Sequence, residues 1–82
     1  MESKNILSVQ HFAASQQVAA DYTSLLVYEQ ELKFYSEKNK KMQCDRIKED
    51  MIALLERIKI NKHILDLSTK ADETYILQLQ KL

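Results

Sequence analysis

Apolar positions in the first half of the chain recur with a helical period on two separate stripes. Val9, Phe12, Ala13, Gln16, Ala19, Ala20, Thr23 and Val27 form a thin, alanine-rich stripe. Such a stripe suits the close approach of another helix more than the burial of bulk. Tyr22, Leu25, Tyr28, Leu32 and Tyr35 form a second, at spacings of 3, 3, 4 and 3, flanked by Leu26 and Phe34. The spacing predicts one long helix over about residues 8–37. Leu26, Phe12 and Phe34 fall off the tyrosine stripe, so a single hairpin partner would not cover every apolar group. Asp21-Tyr22-Thr23-Ser24 is the one candidate interruption, because Asp and Ser can cap a new helix.

The cleanest pattern follows. Cys44, Ile47, Met51, Leu54, Ile58, Asn61 and Leu65 are spaced 3, 4, 3, 4, 3 and 4, a coiled-coil-type seam broadened by Ile52, Leu55 and Ile60. Mixed charges at Arg46, Lys48, Glu49, Asp50, Glu56, Arg57, Lys59 and Lys62 mark the exposed side of this helix, expected over about 41–66. Asn61 in the seam is expected to fix the register of an interface.

Between these stretches lies YSEKNKKMQ, residues 35–43, with four charges and neither glycine nor proline. A helix running through it would carry the tyrosine stripe on to Asn39, Met42, Arg46 and Glu49, three of them polar. The second seam starts out of step with that line. A turn over Glu37–Lys41 resolves the mismatch by folding the two long helices antiparallel. Asn39 can take the left-handed position usually held by glycine, and Lys38, Lys40 and Lys41 suit a helix C-terminus. Lys40→Pro is then expected to be tolerated. Farther on, Thr69 and Asp72 resemble a capping box. Tyr75, Ile76, Leu79 and Leu82 give a short amphipathic helix over about 70–81. The expected fold is all-α: a long antiparallel hairpin plus a short third helix, packed in coiled-coil fashion as one small domain over residues 1–82.

Composition sharpens this picture. The 82 residues contain no Gly and no Pro, and tight β-hairpins lean on glycine. Cys44 is the sole cysteine, so no internal disulfide can staple a chain this short, and a reducing, cytoplasmic setting is expected. A partner chain is the remaining stabiliser, which points to a homodimer or an obligate complex. No apolar run reaches the length of a membrane span, and MESKNILSVQ lacks the features of a secretory leader.

Twelve basic and twelve acidic residues cancel, which removes a global attraction to nucleic acid or to an anionic membrane. The charge is uneven, though: residues 1–32 sum to −3, residues 33–63 to +4 and residues 64–82 to −1. Within the basic middle, Lys38, Lys40, Lys41, Arg46 and Lys48 could track a phosphate backbone, although Glu37, Asp45, Glu49 and Asp50 interrupt them. No glycine-rich phosphate loop is possible, and no nucleophile elbow or paired-ligand metal spacing occurs. No catalytic residue, cofactor or metal is therefore expected. His11, His63 and Cys44 read as boundary or buried residues.

These features point to a small interaction module, a regulator, anti-factor or chaperone-like adaptor that docks helix against helix. The residues expected to carry docking are Tyr22, Leu25, Tyr28, Leu32, Tyr35, Ile47, Met51, Leu54 and Ile58. The alternative is a small nucleic-acid-binding regulator using segment 33–62.

Overall fold

The computed structural model describes the backbone of residues 2–82 and the side chains of residues 8–82. The reading of the first residues as no leader falls partly outside them. Three helices follow in order: α1 (Glu2–Glu37), α2 (Lys41–Ile64) and α3 (Lys70–Lys81). The chain is 88% helical, and no strand occurs among the described residues. α1 starts six residues earlier than its apolar stripe suggested, and it passes through Asp21–Ser24 without a break.

The two turns explain how a glycine-free chain reverses direction. At the end of α1, Lys40 N–H donates to the Tyr35 carbonyl at 3.0 Å and Asn39 N–H to the Ser36 carbonyl at 3.1 Å. Asn39 sits at φ 57°, the left-handed position anticipated for it. At the end of α2 the same pair of bonds recurs: Leu67 N–H to the Lys62 carbonyl at 2.8 Å and Asp66 N–H to the His63 carbonyl at 3.1 Å. Asp66 also sits at φ 57°. Both ends are Schellman caps, with Asn and Asp taking the role of glycine because their short polar side chains tolerate that conformation best. α2 ends at Ile64 rather than near 66 because Asp66 is already the capping residue.

These bonds overturn the expectation for Lys40→Pro. Lys40 uses the N–H that proline lacks, and a following proline disfavours a helical conformation, of either hand, at Asn39. The capping box at Thr69 is likewise corrected. Thr69 makes no side-chain cap to the backbone; its hydroxyl donates to Glu73 Oε1 at 3.1 Å. Asp72 points away from its own helix end altogether.

Leu25, Ile47, Met51, Leu55, Ile58, Ile76 and Leu79 form the core, with Tyr22, Tyr28, Leu32, Tyr35, Ile52 and Tyr75 packed around them. α1 lies along α2, and α3 packs on a neighbouring part of α2, close enough for its Asp72 to reach Tyr22 of α1. That position shifts its seam. Leu55 is fully buried where the regular spacing pointed to Leu54, which is half-buried. A helix packed against two others buries a wider arc than a two-stranded seam does. Asn61 is half-buried and donates to the Arg57 carbonyl of its own helix at 3.1 Å.

α1 and α2 differ in length by twelve residues, which is about 18 Å of helix. Pairing starts at the turn, so the shortfall accumulates at the far end. There Ile64 lies level with Gln10 and Ala14, and the first turns of α1 run on beyond α2. The outline is accordingly long, 56 × 19 × 14 Å, with a radius of gyration of 15.4 Å against about 12 Å for a compact chain of 82 residues.

Candidate interaction surface

The side of α1 that faces α2 and α3 carries a buried carboxylate, Asp21, and the half-buried Glu29. Asp21 is 2% exposed and receives a two-pronged contact from Arg57, Nε to Oδ2 at 2.8 Å and Nη2 to Oδ1 at 2.6 Å. Gln17 Nε2 adds a third bond at 2.9 Å. The hydrogen bonds from Arg57 outweigh the cost of burial and hold the Asp21 carboxyl below the ordinary carboxylate range.

The next residue, Tyr22, links all three helices. Its hydroxyl donates to Asp72 Oδ1 at 2.5 Å, and Lys62 Nζ reaches the other oxygen of Asp72 at 2.8 Å while lying 5.0 Å above the Tyr22 ring. Burial, reinforced by Asp72, pushes the Tyr22 hydroxyl above its ordinary value. Burial alone would lower Lys62, but its contacts with Asp72 and Tyr22 reverse the sign. Tyr75 of α3, half-buried and next to Glu29, is pushed up to about 12 by its desolvation and by that carboxylate. Thus α3 is tied to α1 through polar side chains and to α2 through Ile76 and Leu79.

Sequence patterning missed this network. Asp21 reads as a helix breaker and Asp72 as a capping residue, because Arg57 lies 36 positions from Asp21 and the partners of Asp72, Lys62 and Tyr22, lie 10 and 50 positions away in other helices. The only signal available was an acidic residue inside an apolar stripe.

The nine residues expected to carry docking are drawn into the hairpin. Leu25, Ile47, Met51 and Ile58 are buried; Tyr22, Tyr28, Leu32, Tyr35 and Leu54 are half-buried. Of the basic set, Lys38, Lys40, Lys41 and Arg46 are exposed near the hairpin tip, while Lys48 is half-buried. Lys40, Lys41 and Lys48 line one shallow hollow with Cys44, but Asp45 lines it too, 3.9 Å from the Lys48 amine. Lys38 lies 5.4 Å over the Phe34 ring. Cys44 is free and buried. Among the described residues, no group of three His, Cys, Asp or Glu is placed to hold a metal ion, and no helix is long and apolar enough to cross a membrane.

The other face of α1 is the unusual one. Val9, Phe12, Gln16, Ala19, Ala20, Thr23, Val27, Gln30 and Phe34 follow one another at spacings of 3, 4, 3, 1, 3, 4, 3 and 4, and all are exposed. Val9 and Phe12 are each 67% exposed, Leu26 62%, and Val27 and Phe34 each 54%. From Ser8 to Gln30 no exposed Asp, Glu, Lys or Arg interrupts this face. Thr23 turns its hydroxyl back to the Ala19 carbonyl at 3.0 Å, which leaves its methyl group facing outward. In a chain whose residues are 29% charged, this is a long apolar strip on the outside of a helix.

No protein-family model matches the chain, and no curated protein or solved structure is significantly similar to it.

Proposed function

We propose that this protein is a helical interaction module, a regulator or chaperone-like adaptor, that docks through the outer face of α1. The observation that carries this reading is the apolar strip from Val9 to Phe34, free of exposed charge as far as Gln30, with its exposed Phe, Val and Leu side chains. An apolar helical face of this kind binds by laying its stripe against the groove of another helix or helix pair. The strip differs from the tyrosine stripe first expected to dock, since that stripe already packs within the hairpin. The buried, unpaired Cys44 supports a reducing compartment, in keeping with a cytoplasmic protein.

Phe12→Asp and Val27→Asp test the reading. Both positions are exposed, so circular dichroism should remain unchanged while partner capture from host extract, including capture of the chain by a tagged copy, is lost. Capture that survives both substitutions would move the docking surface elsewhere.

A second reading, contact with nucleic acid, draws on the convergence of Lys40 and Lys41 with Lys48 at the hairpin tip. Binding through Lys38, Lys40, Lys41, Arg46 and Lys48 must weaken steeply with salt, whereas docking through α1 should be nearly indifferent to it.

A further inference from the structure

Resting on that docking surface, we propose that its occupant is a second copy of this chain: two α1 helices pair antiparallel through their outer faces, with the two-fold axis beside Ala20 and Thr23.

The strip is self-complementary about its own midpoint. A two-fold interface requires that whenever residue i meets residue j, j also meets i. Reversing the strip on itself sets Val9 against Phe34, Phe12 against Gln30, Gln16 against Val27, and Ala19 against Thr23. Each bulky apolar side chain then meets an uncharged one. The smallest residues, Ala19 and Ala20 with the outward methyl of Thr23, gather where the two backbones come closest. No like-charge pair arises between these positions.

The exposed area agrees in size. The chain exposes 6276 Å², whereas a compact monomer of 9.6 kDa exposes about 5,100 Å². The excess, about 1,200 Å², is spread over the elongated outline and leaves room for the roughly 800 Å² that each partner buries in a standard stable interface.

Geometry gives the third reason. Val9 and Phe12 lie where α2 ends beside α1, and each is 67% exposed. A short helical end without a covering neighbour is marginal in water. In the antiparallel pair, that end lies along the C-terminal part of the partner's α1, where the hairpin supports it. A face without charges also carries little electrostatic discrimination among foreign partners. A second copy needs none, because its own shape repeats the strip.

The test is disulfide trapping in the full chain with Cys44→Ala as background. At about 10 µM chain, pairing raises the local thiol concentration towards millimolar, so Ala20→Cys should form a covalent dimer about a hundredfold faster than Met42→Cys at the exposed hairpin tip. Gln30→Cys alone should stay slow, but mixed with the Phe12→Cys chain it should cross-link as readily as Ala20→Cys. Sedimentation of the unmodified chain should show a dimer, and the Val27→Asp chain should be monomeric.

Equal rates at positions 20 and 42, or a monomer at every concentration, would overturn the self-pairing. Rapid self-linking of Gln30→Cys would replace it with a parallel pair. A monomer that still captures another protein in a Val27-dependent manner would sink this inference alone. A monomer without Val27-dependent capture would sink the docking reading as well.

Discussion

Leu25 and Leu26 are adjacent in sequence, yet one is 4% exposed and the other 62%. They stand for the two faces of α1, which reverse the usual arrangement of a surface helix. The inner face holds Asp21, Tyr22 and Glu29 among its apolar residues and satisfies the buried carboxylate of Asp21 with Arg57 and Gln17. The outer face carries no exposed charge from Val9 to Gln30; Glu31 and Lys33 flank it only beyond that point. A helix that ended its interactions within this chain would place its charges on the solvent side. Here Asp21 and Glu29 are turned inward, the exposed charges Glu31, Lys33 and Glu37 gather at the C-terminal end, and the apolar strip before them is left without an intramolecular neighbour. Burial of a carboxylate is tolerated only where fixed donors meet it, so the inner face specifies one register of the hairpin, while the outer face retains surface for association.

The largest separation should come from the two leucines themselves. Leu25→Ala is expected to cost about 2–5 kcal/mol through loss of burial and the cavity left behind. Leu26→Ala should change the stability of the dilute chain by no more than about 0.5 kcal/mol. Denaturant titration of both variants at low concentration measures the contrast. Equal effects would mean that the two faces are not distinct.

Next in size is the turn that decides which face of α1 meets α2. Lys40→Pro removes the hydrogen bond to Tyr35 and displaces Asn39 from its left-handed conformation, at a cost of about 3 kcal/mol. Thermal melting should register it as a clear drop. A melting temperature within a degree or two of the parent would show that the cap does not hold the hairpin.

The Asp21–Arg57 pair offers an asymmetric test. Arg57→Ala leaves a carboxylate on a residue that is 2% exposed with only Gln17 to satisfy it, whereas Asp21→Ala leaves an arginine whose side chain is 55% exposed and can turn to water. Arg57→Ala should therefore lower the melting temperature more than Asp21→Ala does.

The pH dependence follows from the same pair. The Asp21 carboxyl has a folded-state pKa below its unfolded value of about 3.9, so its contribution is complete above that pH and is lost as pH falls through the folded value. The gap in melting temperature between parent and Asp21→Asn should therefore be constant near neutrality and shrink below about pH 4. A gap that widened in acid would contradict the assignment.

The smallest effect concerns Asn39. Gly carries no steric penalty at φ 57°, so Asn39→Gly should be neutral or slightly stabilising, while Asn39→Ala should cost about 1 kcal/mol. Chemical denaturation of the two variants resolves that difference.

The sequence by itself determined that this chain is helical, where it turns and which residue caps the turn. Those properties follow from local rules: periodicity of apolar residues, absence of glycine and proline, and the tolerance of asparagine for the left-handed region. Residues 70–81 were legible as a helix on the same grounds. Only the tertiary structure decided that Leu55 rather than Leu54 completes the core, because that depends on α2 being packed against two helices. It alone turned Asp21 and Asp72 from apparent helix signals into buried, paired carboxylates, since Arg57, Tyr22 and Lys62 come near them only after folding. It also decided which of the two apolar stripes of α1 is used internally. Each stripe has the helical period, and periodicity cannot say which one meets α2; the choice belongs to the register in which Asp21 finds Arg57.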